Sequence, residues 1–373
     1  MVFLLKIYKL FLSFIYFFIK LIKTQNQITL ISRQSNTPSL DFNLLSKELV
    51  HELKDYKIVV LCKKIDSGLI NKIKYIFYIF KLMINISKSK VVILDSYCIP
   101  ISLLKHKKNL TVIQIWHAIG LLKKAGYSIL NKEEGSSVKI SKTLCMHKNY
   151  DYVLASSKNC IDSFTEVFSC DKNIVKAIPL PRVDLLLDDK FKESKKKELF
   201  SKYDELQSKK NILYAPTFRK DEEQMQIYLD KLISSIDFEK YNLIVKLHPL
   251  SKLNINNEKV CTLNEYSTFD TLFISDYVIS DYSSIIYEAG ILNKPLYFYA
   301  FDLDSYDIKR GFFIDYVNEM PGIITDNPKE IINLIDNNIY DYKKLNKFVS
   351  KYVDLTNKNN TKKIVKFIMQ NIK

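Results

Sequence analysis

At 373 residues the chain is long enough for about two domains. An apolar fraction of 47% with 13% aromatics excludes global disorder, and six cysteines (Cys62, Cys98, Cys145, Cys160, Cys170, Cys261) with no CxxC pair or cysteine–histidine cluster point to reduced thiols in a cytosolic setting rather than to a disulfide scaffold or a structural zinc. The net charge of +15 is spread along the chain and suits an anionic membrane surface or phosphorylated substrates. No zinc-finger, RNP or basic-zipper pattern accompanies it, so no nucleic-acid partner is expected.

Residues 1–23, MVFLLKIYKLFLSFIYFFIKLIK, are strongly apolar yet carry Lys6, Lys9, Lys20 and Lys23. The charge-free run from Leu10 to Ile19 is short of the ~20 residues a bilayer span needs, and no small-residue cleavage site follows. Residues 1–24 are therefore expected to lie in the membrane interface as one helix, phenylalanines in the acyl boundary and lysines at the headgroups. A single transmembrane span is the alternative.

From Gln27 short Ile/Val/Leu-rich runs alternate with helix-periodic segments. The expected strands are 27–32, 57–62, 91–94, 110–116, 151–155 and 173–178, with helices over 39–55 and 69–89. Runs without polar alternation are what parallel strands buried on both faces require, and the rhythm is that of a doubly wound α/β sheet. The lysine-heavy segment 190–210 breaks it. The rhythm then resumes with strands over 211–215, 241–247, 272–280 and 296–301, and helices near 222–236 and 284–292. This predicts two Rossmann-like lobes, 25–190 and 191–345, and a C-terminal helical segment, 346–373, packing across both.

Several runs end in polar residues. One ends at His117, with Lys123 and Lys124 soon after; another at Thr217 and Arg219; a third at His248. In open α/β sheets ligands bind outside the carboxyl ends of the strands, so the repetition carries weight that no single residue does. The run 272–280 feeds Asp281-Tyr282-Ser283-Ser284, whose serines and aspartate are helix-capping types, and Glu288 lies one turn beyond Ser284. A strand feeding a capped helix start can hold phosphate at the turn and ribose hydroxyls on the glutamate. PLPRVD (179–184) adds Arg182 and Asp184, and YDIKRGFFIDY (306–316) adds Lys309 and Arg310 beside Gly311.

Six blocks in order, IQIWHAIGLLKKAGY (113–127), PLPRVD, YAPTFR (214–219), VKLHP (245–249), ISDYSSIIYEAGILNKPLYFYAFDLDSY (279–306) and KRGFFIDY (309–316), resemble the CDP-glycerol glycerophosphotransferase family of teichoic acid and capsule biosynthesis. One departure is Ala118, where many members carry glycine. The resemblance implies a GT-B architecture of two Rossmann-like lobes facing a central cleft, the nucleotide held mainly by the C-terminal lobe. It also implies transfer of a polyol phosphate from CDP-glycerol or CDP-ribitol to a lipid-linked acceptor at the cytoplasmic face of the membrane. In that scheme His117 is the candidate base and His248 the pyrophosphate contact. Ser283 and Ser284 hold phosphate, with Asp281 beside them and Arg219, Lys309 and Arg310 as further cations and donor contacts, and Glu288 holds the ribose. Lys123, Lys124, Arg182, Asp184 and Thr217 are further cleft candidates. No DxD-type carboxylate cluster indicates a divalent metal, and no cofactor beyond the donor is expected. The rival reading is a GT-B glycosyltransferase that uses a nucleotide-sugar.

Overall fold

The computed structural model describes residues 2–65, 68–356 and 358–373. The chain divides into two compact units: Met1–Ile119 with Lys124–Asp184 and Asp354–Lys373, and Gly120–Lys123 with Leu185–Val353. The chain thus leaves the first unit for four residues after Ile119, and its last helix, Asn360–Gln370, returns to the first unit.

The first unit is built on strands β1 (Gln27–Ser32), β2 (Lys57–Cys62), β3 (Val91–Leu94), β4 (Thr111–Gln114), β5 (Tyr152–Ala155) and β6 (Val175–Ala177), all parallel in the order β2-β1-β3-β4-β5-β6. Its first helices are α1 (Val2–Ile19), α2 (Leu40–Glu52) and α3 (Leu69–Lys88). Ser39 caps α2 by accepting from the Phe42 N–H. The second unit has strands β7 (Lys210–Ala215), β8 (Tyr241–Val245), β9 (Val260–Cys261), β10 (Tyr277–Ser280), β11 (Leu296–Tyr299) and β12 (Ile324–Thr325), also parallel, in the order β12-β11-β10-β7-β8-β9. β3 and β11 are buried at every residue, in agreement with their unbroken apolar sequences, and β4 (TVIQ) is equally buried although Thr111 and Gln114 are polar.

Strand order reverses between β1 and β3 in the first sheet and between β7 and β10 in the second. Those are the switch points where an open α/β sheet leaves a crevice at its carboxyl edge. The sequence expectations hold for the strands that pair fully and need trimming elsewhere. The expected strand 110–116 stops at Gln114, because Trp116 turns to φ 64°. Of 272–280 only Tyr277–Ser280 is strand: pairing with β7 starts at Ile212↔Tyr277, and Leu272–Ser275 form a buried turn after the helix Thr268–Thr271. In 173–178 the strand is delayed by a turn that Asp171 caps. The lysine-heavy segment 190–210 is mostly the helix Asp189–Lys202, capped by Asp188.

Candidate functional site

In the first unit the carboxyl ends of β1, β3 and β4 gather Ser32, Asp95 and His117. Trp116, a bulky residue at φ 64°, sits in a region that non-glycine residues occupy at a cost, the kind of strain that collects at functional sites. The buried Gln114 side chain holds that turn by accepting from the Trp116 N–H at 2.9 Å. The turn aims the half-buried His117, whose ring lies 4.1 Å from the indole centroid. His117 Nδ1 is 3.0 Å from the Asp95 carbonyl, which can only accept, so Nδ1 carries the proton and the basic lone pair falls on Nε2. The Gln34 amide, 3.3 Å from the same Nδ1, is the weaker neighbour.

Of the two candidates from PLPRVD, Arg182 braces this turn and Asp184 holds the C-terminal helix. Arg182 donates from Nε to Asp41 at 2.8 Å, from its backbone N–H at 2.9 Å, and from Nη2 to the His117 carbonyl at 3.2 Å. Asp184 accepts from the backbone N–H groups of Asn360 (2.7 Å) and Thr361 (2.8 Å) and from their side chains, so it caps the C-terminal helix. Its carboxylate is fully occupied there.

Asp95 directly follows the last residue of β3. Its carboxylate is 2% exposed, and among the described residues neither oxygen completes a hydrogen bond, although the Ser32 and Ser96 hydroxyls lie near. Burial pushes its pKa up to about 6, against the pull of those hydroxyls. Because the folded value lies above the unfolded value of about 4, the folded state binds the extra proton and stability falls as pH rises from about 4 to 6. Asp95→Asn is therefore expected to match the wild type in stability below pH ~4 and to exceed it above pH ~6, by up to about 3 kcal/mol. Urea melts at the two pH values check this, and equal differences at both would refute it.

In the second unit the switch point carries one connected network. Arg219, 9% exposed, forks onto Asp302 (Nε–Oδ2 2.7 Å, Nη2–Oδ1 2.8 Å) and donates from Nη1 to Asp281 at 2.6 Å and to the Thr217 carbonyl at 2.8 Å. Asp281, fully buried, also accepts from the Thr217 N–H at 2.9 Å and from the Tyr282 N–H. The Tyr282 hydroxyl donates to Asp302 at 3.0 Å, and the Tyr316 hydroxyl donates to the Asp281 carbonyl at 3.0 Å. Desolvation opposes the guanidinium charge, but the two carboxylates outweigh it and raise the Arg219 pKa further. The PTFR, DYSS, FDLDSY and FFIDY motifs are parts of this one lock. Asp302, Tyr282 and Tyr316 were not singled out from sequence.

The lock leaves Ser283 and Ser284 half-buried at the head of the helix Ile285–Ile291. Among the described residues, Ser284 makes no side-chain cap bond, and the buried Thr217 Oγ1 has no hydrogen-bond partner. Glu288, 2% exposed, lies one turn on. His248, exposed past β8, accepts at Nδ1 from the Leu250 N–H (3.2 Å), so its Nε2 carries the proton. Its ring lies 5.4 Å from that of Phe218.

Gly120 and Gly311 have positive φ, 66° and 87°. A Cβ on Gly120 would stand 2.7 Å from the Tyr287 ring, so WHAIG needs its glycine for close approach. Lys123 bridges to Phe312, and the Phe313 N–H donates to the Leu122 carbonyl at 3.0 Å. Lys309 ends the helix Leu303–Lys309 exposed, with Arg310 half-buried behind it, and Lys124 belongs to the first unit.

Each of the two parallel α/β units thus carries polar side chains at its own carboxyl-edge switch point, the place where such sheets bind ligands. The chain belongs to the CDP-glycerol:poly(glycerophosphate) glycerophosphotransferase family, whose profile matches residues 13–370. It is an enzyme of that type and a transferase of teichoic acid biosynthesis. It is 31% identical over 322 residues to the teichoic acid ribitol-phosphate primase of Bacillus spizizenii (84% of this chain, 83% of the relative). It is also 31% identical over 384 residues to the teichoic acid glycerol-phosphate primase of Bacillus subtilis (97% and 96%). In fold it is similar to the wall teichoic acid polymerase TagF, with a TM-score of 0.74 at 23% identity, over 93% of this chain and 89% of that one.

Proposed function

We propose that the protein transfers a polyol phosphate, glycerol phosphate first, from a CDP-alditol to a hydroxyl of a membrane-linked acceptor and releases CMP, its two units acting as the lobes of a GT-B enzyme. The observation that carries this reading is the pair of histidines held in opposite tautomers, one with a basic Nε2 and one with an Nε2–H. The acceptor hydroxyl gives its proton to His117 Nε2 as its oxygen bonds to the β-phosphorus. The bond from that phosphorus to the bridging oxygen breaks, and CMP leaves with the His248 Nε2–H on a phosphate oxygen. Ser283, Ser284 and Thr217 hold phosphate, Glu288 the ribose hydroxyls, and Lys309 and Arg310 supply charge in place of a metal. Arg219 and Asp281 act as positioning residues that fix the turn. The reading requires both units to act on one donor–acceptor pair. A TagF variant soaked with CDPG supports the choice of donor.

The test is product analysis in EDTA with CDP-glycerol, CDP-ribitol and UDP-sugars, each with a lipid-linked acceptor. CMP release from a CDP-alditol is expected; UDP release from a sugar donor instead would overturn it. One added unit identifies a primase and a ladder a polymerase.

Membrane attachment through α1 is part of the same proposal, at the cytoplasmic face and peripheral. α1 is long and apolar enough to cross a bilayer, but one face is docked on its own unit. Leu12 and Tyr16 are buried, and the Tyr16 hydroxyl bonds His106 Nδ1 at 2.9 Å. The other face exposes Phe3, Leu10, Phe14, Phe17 and Phe18. α3, which packs on α1, exposes Ile70, Ile73 and Phe77. A helix docked along one side and greasy along the other suits the interface better than a span. Phe14→Asp with Phe18→Asp is expected to abolish co-sedimentation with anionic vesicles; unchanged sedimentation would count against it.

A further inference from the structure

The carboxyl edge of the second sheet carries the site above. Its amino edge, the length of β7 or about 20 Å away, opens into a cavity of about 470 Å³ that no part of that site uses. Four neighbouring parallel strands deliver charge to it: Lys210 begins β7, Lys240 precedes β8, Asp276 precedes β10 and Lys294 precedes β11. Lys209, and Lys196 from the helix Asp189–Lys202, add to the lining, which holds five lysines and one carboxylate, while Asp237 and Asp336 stand 3.5 and 3.8 Å from Lys240 Nζ at its rim. The lining carboxylate is already engaged: Asp276 accepts from Lys210 Nζ at 2.9 Å and from the Asn211 N–H at 2.9 Å. Burial holds the Lys294 ammonium below the usual lysine range, and although Asp276 pulls the other way, Lys196, Lys210 and Lys192 repel it. A second hollow of about 240 Å³ continues along the same helix past Lys196 and Lys197.

Like charges converging on a concave site of small-molecule size, with too few carboxylates to balance them, are what an anion would balance. Lysine ammoniums contact phosphate oxygens as point charges. We propose that this cavity is a second anion site that binds a phosphate ester, either a phosphodiester segment of a polyol-phosphate chain or a small phosphate such as a nucleotide. The inference does not depend on the reading of the carboxyl-edge site.

The test uses the full-length protein with its lysine amines reductively ¹³C-methylated, and the Lys294 resonance assigned by its loss in Lys294→Arg. Inorganic pyrophosphate, CMP and a short glycerol-phosphate oligomer are titrated separately. Saturable movement of that resonance, with its titration displaced to higher pH, is expected for at least one. Preference for the oligomer assigns the polymer as ligand, and equal or better binding of pyrophosphate or CMP assigns a small phosphate. Lys196→Glu with Lys240→Glu, both exposed positions, should raise the apparent Kd by at least about tenfold. Lys196→Arg with Lys240→Arg should retain binding. No saturable movement with any probe, or unchanged binding in the glutamate variant, overturns the proposal.

Discussion

His117→Ala is expected to lower turnover about a thousandfold while leaving donor affinity nearly unchanged, the range a positioned general base supplies. The separation follows from where the groups sit: the proposed base is on the first unit, whereas the hydroxyls proposed for phosphate are on the second. Asparagine makes the sharper variant. Its amide nitrogen can occupy the place of Nδ1 and still donate to the Asp95 carbonyl, but it offers no basic Nε2. His117→Asn should therefore fold and melt like the parent and be as inactive as the alanine variant. Single-turnover kinetics with saturating CDP-glycerol, beside a binding measurement on the same sample, read the two quantities apart. Near-normal turnover in either variant, or a loss confined to donor affinity, would remove His117 from the role of base. Gln34→Ala, which deletes only the 3.3 Å neighbour, should cost far less.

The βα rhythm was legible from residues 27–32, 57–62 and 91–94, where Ile/Val/Leu-rich runs became parallel strands with the expected bounds, 27–32 and 91–94 buried throughout and 57–62 largely half-buried. Legibility failed where pairing or a turn, not composition, sets the end. Leu272–Ser275 are as apolar as any strand but have no partner in the sheet, and Trp116 leaves β4 through a backbone angle that its side chain does not advertise. The two-residue edge strands β9 and β12 are too short for any period to register. At the candidate site, residue types and strand ends pointed to turns that lie at the carboxyl edges of the two sheets. What the sequence could not separate was the side chain that faces outward from the one that holds it. Arg219 carries positive charge at a strand end, just as a phosphate-binding residue would, and Asp281 caps a turn there, yet the two are locked to each other and Arg219 to Asp302 far along the chain. The same holds for Arg182 and Asp184, whose partners Asp41 and Asn360 lie 141 and 176 positions away.

Arg219→Ala is expected to destabilise the second unit by about 3–5 kcal/mol, the cost of leaving buried charge without its counterion. Asp281 and Asp302, 0% and 11% exposed at the side chain, would face each other with the guanidinium gone. Hydrogen exchange of the β7 and β10 amides reads the opening of that unit without assuming that the whole chain unfolds as one. A double-mutant cycle then distinguishes a positioning residue from a phosphate ligand. If Arg219 works through its carboxylates, Asp302→Ala alone should weaken donor binding. Adding Arg219→Ala to it should cost less than the sum of the single effects, with a coupling of about 0.5–3 kcal/mol in stability. Arg219→Lys should recover part of the stability but not donor binding, because an ammonium cannot fork onto Asp302 and reach Asp281 together. If Asp302→Ala leaves donor binding untouched while Arg219→Ala abolishes it in a folded protein, Arg219 contacts the donor directly and the lock is only scaffolding.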